Sequence, residues 1–229
     1  LLDRANFKEG DEFTHITYSA VTKESDDSEI DSFPMKYQLR QRIFQRTTKV
    51  ALVITMYNED SDLFIKSLTA VQKNIAYLCS KKCPFSWGPS GWKRFVICII
   101  SDGRQKISKK VLKVLELLGL YVDNLPQSTI EGKKVAGHIF EATTQIAIDP
   151  VDSQILTYKD GIVPVQIIFL LKEQNMRKVN SHKWFFSAIC ETINPQITML
   201  LDVGTKPMPG SLYHLWRAFD RDEMVAGAA

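Results

Sequence analysis

The sequence predicts an open, largely parallel α/β sheet with helices on both faces, preceded by an N-terminal arm. Three observations carry that prediction. Short, predominantly apolar runs at 50–54, 95–100, 165–171 and 197–201 read as buried strands. Between them apolar residues recur at steps of three and four, the pattern of helices with one buried stripe. At least three of the strands end in acidic residues, and in open α/β sheets ligands bind just beyond the carboxyl ends of strands.

Residues 1–48 are polar and charge-rich and are expected to form an arm that packs on the core or on a neighbour. Within it, residues 13–18 alternate enough for an edge strand. The run Glu24 to Glu29 reads as solvated, and so does the basic cluster Arg40, Arg42 and Arg46. The first buried strand ends in Thr55-Met56-Tyr57-Asn58-Glu59-Asp60, and Phe64, Leu68, Val71, Ile75 and Leu78 mark the helix after it. Tyr57 offers an aromatic face, and Glu59 an acceptor, where a nucleotide's base and ribose would lie. Asn58, Glu59 and Asp60 serve equally as helix caps.

A Pro/Gly/Trp-rich loop over 84–92 leads to the second strand, which ends in Ser101-Asp102-Gly103-Arg104. Asp102 suits the ring N–H of a pyrimidine, since a carboxylate is purely an acceptor. Val111, Leu115 and Leu118 mark a helix closed by Gly119. Residues 121–163 are less regular, with a strand expected at 138–145 and turns at Asn124, Asp149-Pro150 and Asp160-Gly161. His138 is expected to be structural. Gly132-Lys133-Lys134 lacks the spacing of a phosphate loop. The third run, 165–171, precedes a helix for which Asn180 or Ser181 is the expected N-cap. Lys172, Arg177, Lys178 and Lys183 surround that end, a natural place for an anion. The fourth run ends in Asp202-Val203-Gly204-Thr205-Lys206, where Asp202 is either a metal ligand or a turn cap. A last helix, carrying Leu212, Leu215, Trp216 and Phe219, starts near Pro209-Gly210.

Composition narrows the chemistry. A net charge of +3 is too small for the concentrated basic patch of a nucleic-acid binder. No apolar run approaches the roughly 18 residues of a membrane span. Cys79, Cys83, Cys98 and Cys190 lie irregularly and read as reduced thiols. There is no dinucleotide fingerprint, no Ser-His-Asp arrangement and no zinc spacing. Acidic strand tips repel a bare diphosphate unless a divalent cation lies between. A metal-assisted nucleotide-sugar site is the reading that fits.

The residues then become specific. Thr55 to Asp60, Ser101 to Arg104, Lys178-Val-Asn180-Ser181-His182-Lys-Trp184-Phe-Phe and Leu201 to Thr205 occur in the order and spacing of fungal chitin synthases. The segments starting at Phe13, His138 and Val165 resemble the same family's connecting segments, so the likeness covers nearly the whole chain. The resemblance implies a family 2 glycosyltransferase with the GT-A fold, a Rossmann-related sheet, over 49–229. It implies transfer of N-acetylglucosamine from UDP-N-acetylglucosamine to a growing β-1,4 chitin chain with inversion. Carried over by position, Tyr57 stacks on uracil with Thr55 beside it, Glu59 holds the ribose, and Asp102 binds the uracil ring. Asn58, Ser101, Gly103 and Gly204 belong to the same motifs, and Lys178, Asn180, Ser181 and His182 line the donor pocket. Asp202 is the implied catalytic ligand for Mg²⁺ or Mn²⁺ on the diphosphate. Further expectations are a homodimer through the arm, and a multi-pass plasma-membrane protein of cell-wall and septum biogenesis with this domain on the cytosolic face. The family's acceptor-activating Asp, its Gln-x-x-Arg-Trp motif and its membrane helices have no counterpart in the sequence. A donor-binding portion that holds UDP without polymerising is therefore expected. A hyaluronan-type synthase and a non-catalytic nucleotide-binding module are the alternatives.

Overall fold

A computed structural model describes residues 9–23, 29–81 and 87–229. Most of the acidic run, Cys83 and the start of the loop before Trp87 lie outside the described residues. In chain order the elements are β1 (Thr17–Thr22), α1 (Glu29–Lys36), α2 (Arg40–Ile43), β2 (Val50–Met56), α3 (Ser61–Cys79), β3 (Phe95–Ser101) and α4 (Lys109–Leu117). Then follow β4 (Thr129–Ile130), β5 (Lys133–Thr144), β6 (Ala147–Ile148), β7 (Ile155–Leu156), β8 (Val165–Lys172), α5 (Arg177–Lys183), α6 (Glu191–Ile193), β9 (Ile197–Asp202) and α7 (Ser211–Arg221). The main sheet has the order β1-β5-β8-β3-β2-β9. Its β8-β3-β2-β9 half is parallel, and β5 and β1 add on antiparallel.

The four apolar runs therefore form the four parallel strands, and both faces are covered. Phe64, Leu68, Val71 and Ile75 of α3 pack with Val111 and Leu115 of α4 and Trp216 of α7 against Leu52, Ile54 and Ile97. Phe33 of α1 and Trp184, Phe185 and Ile189 pack on the opposite face against Ala51, Val53 and Cys98. Trp184–Cys190 is a π-helical continuation of α5. Its wider turn brings the consecutive Trp184 and Phe185, and again Ala188 and Ile189, to the sheet side.

Several expectations need correction. The fourth strand is not buried on both faces: β9 lies at the edge of the described sheet, and Leu200 is exposed. The first strand starts at Thr17, after a 3₁₀ turn over Glu9–Phe13. The strand expected at 138–145 is present but starts earlier: β5 spans 12 residues, Lys133–Thr144, and is buried from Val135 onward. Arg40 and Arg46 are not a solvated face. Arg46 donates from both terminal nitrogens to the Glu12 carboxylate, at 2.8 and 2.7 Å, and also bonds Gln166 of β8. Arg40 donates its backbone N–H to Glu141 and its guanidinium to the carbonyls of Glu12 and His15. Residues before β2 are thus wired into the floor of the sheet.

His138, fully buried in β5, is structural as expected. Its Nε2 lies 2.6 Å from Glu173, an acceptor, so Nε2 carries the proton and Nδ1 accepts from the Tyr18 hydroxyl at 2.8 Å. Burial holds its pKa below the ordinary value; the Glu173 carboxylate opposes that, and the Arg104 charge reinforces it. A neutral histidine in the fold that takes up a proton when unfolded makes acid destabilising. As pH falls below about 6.5, stability is expected to drop by up to about 1.4 kcal/mol per unit, until the folded-state pKa is reached. Urea unfolding at pH 8 and pH 5.5 checks this, because His138→Gln should remove that part of the acid loss. A pH dependence identical in both proteins would contradict it. Cys79, Cys98 and Cys190 are free thiols, and burial raises the pKa of each, to about 11 for Cys79 and about 12 for Cys190. They are poor nucleophiles.

Candidate active site

Strand register places the acidic tips together. Thr55 pairs with Asp202, Met56 with Ser101, and Ser101 with Leu171. Tyr57, Asp102 and Lys172 therefore lie level with one another, two residues further along than Thr55 and Asp202, at one edge of the sheet. The chain passes from β2 to β3 on one side and later returns as β9 on the other, and such a reversal opens a crevice at the strand ends. There lies a cleft of about 490 Å³ lined by Thr55, Met56, Tyr57, Glu59, Asp102, Asn175, Arg177, Lys178, Ser181, Asp202 and Val203.

Two aspartates that line it are each paired with a lysine, and the two pairs differ in character. Lys178 Nζ is 2.6 Å from Asp202 Oδ2, with both side chains more than half exposed. Asp202 Oδ1 accepts from the Thr55 hydroxyl at 3.0 Å. The Lys178 hydrogen bond, then Thr55, the Lys178 charge and His182 hold the Asp202 carboxyl below its usual range. An exposed pair contributes no more than about 1 kcal/mol, so Lys178 leaves Asp202 easily. By contrast, Lys172 Nζ is 2.7 Å from Asp102 Oδ1 with side chains 2% and 8% exposed. Met176 N–H adds a second donor to Oδ1 at 2.9 Å. Burial lowers the pKa of Lys172, and Asp102 works against that shift.

The tips are shaped locally. Glu59 Oε2 accepts from Tyr57 N–H at 2.6 Å, and Asp60 caps α3 through the Asp62 N–H at 2.9 Å. Gly103, at φ 105°, has Asn175 so close that an added Cβ would lie 3.2 Å from its backbone nitrogen. Asn175 Oδ1 accepts from Arg177 N–H at 3.0 Å, and Arg177 sits in the left-handed region at φ 66°. The helix thus begins at Arg177, and Asn180 and Ser181 lie inside it and do not cap it.

Of the residues singled out from sequence, Thr55, Tyr57, Glu59, Asp102, Lys178, Ser181 and Asp202 line the cleft. Six do not. Asn58 and Gly204 are exposed on flanking turns, and Gly204 N–H bonds Ser67 of α3. Ser101 is buried, and Gly103 permits the approach of Asn175. Asn180 lines a different, small cavity beside Trp184, and His182 is not among the residues that line the cleft. Met56, Asn175 and Val203 were missed; Asn175, three residues beyond the end of β8, is the one a strand-tip argument reaches.

A sequence model described as "Chitin synthase-like glycosyltransferase domain" matches residues 50–229, and one described as "Chitin synthase N-terminal" matches residues 1–49. The chain belongs to the chitin synthase family. It is 46% identical over 227 residues to chitin synthase 2 of Rhizopus oligosporus, covering 99% of this chain and 26% of that protein. It is 46% identical over 220 residues to chitin synthase C of Aspergillus oryzae, covering 95% and 24%. With chitin synthase 3 of Verticillium dahliae it shares 44% over 230 residues, covering 100% and 25%. The chain therefore spans about a quarter of the length of these chitin synthases. Among its described residues no helix is long and apolar enough to cross a membrane.

Proposed function

We propose that the cleft holds the UDP end of UDP-N-acetylglucosamine, and that the chain supplies the donor side of inverting transfer to a β-1,4 chitin chain. The observation that carries this is the pairing of one fixed and one releasable carboxylate across a single cleft. Asp102, fixed by Lys172 and Met176, offers Oδ2 to the uracil N3–H. Tyr57 stacks on the ring, and Glu59, whose Oε2 is engaged, offers Oε1 to the ribose. Lys178 and Arg177 face the diphosphate.

Among the described residues no cluster of three or more His, Cys, Asp or Glu stands ready to cage a metal. A single ionised carboxylate with an ammonium on it fits a cation bound jointly with a diphosphate, the way Mg²⁺ is usually held. Asp202 would hold Mg²⁺ or Mn²⁺, with Lys178 turning from Asp202 to a phosphate oxygen. The cation would neutralise charge developing on the UDP leaving group. The family reading also supports a full-length protein in the plasma membrane, this domain on the cytosolic face, and a homodimer through the N-terminal region.

Calorimetric titration with UDP, with and without Mn²⁺, tests the proposal. Binding that tightens at least about tenfold with Mn²⁺ is expected. A chain that takes up no UDP under either condition would instead be an assembly module.

A further inference from the structure

Lys172 closes a strand buried at every position, and its own side chain is only 2% exposed. Lysine is almost never so buried unless paired. Its ammonium touches two residues that line the cleft, Asp102 at 2.7 Å and Ser181 Oγ at 3.3 Å, but Lys172 itself does not line it. It stands behind them. Asp102 Oδ1 is saturated from that side by Lys172 and by Met176 N–H, while Oδ2 has no partner among the described residues.

We propose that Lys172 is a positioning residue that sets base selectivity, by keeping Asp102 a fixed acceptor toward the cleft. The proposal rests on the assignment of Asp102 to the base made above. An acceptor-only group selects a base that presents a ring N–H, as uracil does at N3. It rejects one that presents a ring lone pair at that atom, as cytosine does. Without its cation a buried carboxylate neutralises or turns toward water. As a neutral carboxyl it donates as well as accepts, so it no longer separates the two bases.

The test compares UDP and CDP affinity for this chain. The wild type is expected to prefer UDP by roughly 100-fold, from an unmet buried acceptor pair. Lys172→Met and Asp102→Asn should each bring that ratio below about tenfold, whereas Asp202→Asn should leave it unchanged. If Lys172→Met weakens UDP and CDP in proportion while Asp102→Asn collapses the ratio, Lys172 is merely structural and the proposal fails. If the wild type binds both equally, or Asp102→Asn keeps the ratio, the assignment of Asp102 falls first. Breaking a buried pair can unfold a chain, so the electroneutral double variant keeps the proposal open to refutation where Lys172→Met does not fold. Adding Lys172→Met to Asp102→Asn should leave the ratio of Asp102→Asn within about twofold. A larger shift would show that Lys172 acts independently of Asp102 and would overturn the proposal.

Discussion

Asp202→Asn is expected to abolish the Mn²⁺ dependence of UDP binding while leaving metal-free UDP binding as strong as in the wild type, or stronger. The geometry gives opposite signs for the two arms. The carboxylate is the group that would hold the cation, and even second-shell changes weaken metal sites by about 10- to 100-fold. Loss of the ligand itself should therefore remove the whole of the metal enhancement, at least about tenfold. The same carboxylate also holds Lys178 at 2.6 Å. Neutralising it frees an ammonium for the diphosphate, so metal-free affinity should not fall. A variant that loses metal-free UDP binding tenfold or more would show that Asp202 shapes the cleft and does not act as a ligand. Paired titrations on one protein preparation separate the outcomes.

Glu12→Ala is expected to destabilise the fold by about 3–5 kcal/mol, the usual result of stranding one member of a buried ion pair. The Glu12 and Arg46 side chains are 1% and 7% exposed, and Glu12 also accepts from Thr143 of β5 at 3.0 Å. Arg46 would be left between β8 and the rings of Phe44 and Trp92 with no counter-charge from Glu12. Urea denaturation measures the effect. A change under about 1 kcal/mol would mean that the segment before β1 is an ornament on a self-sufficient sheet.

Those two sites mark where sequence was legible and where it was not. The parallel strands were legible because a strand covered on both faces must be apolar at consecutive positions, as Val50–Ile54 and Phe95–Ile100 are. Strand β5 was legible only over its second half, because its buried positions include His138, Glu141 and Thr143, each satisfied by a partner far along the chain. Arg46 reads as solvated for the same reason, since Glu12 lies 34 residues earlier. At the cleft, Thr55, Tyr57, Glu59, Asp102 and Asp202 were legible as strand tips. The helix start was misplaced because its first N–H is met by Asn175, upstream of the residues with good capping propensity. Lys172 left one overlooked signal: a lysine closing a largely apolar strand whose neighbour, β3, is followed at once by Asp102.

The antiparallel pairing of β1 with β5 has a consequence for biosynthesis. Thr17 bonds Glu141 across 124 residues, so β1 is made well before the strand it pairs with. At roughly 5–20 residues per second, a ribosome exposes β1 for about 6–25 s before its partner exists. During that interval an unpaired strand edge is open to pairing with another nascent chain. Protection of β1 on the ribosome, by a chaperone or by slow delivery of neighbouring chains, should therefore govern how much of this protein reaches its folded state.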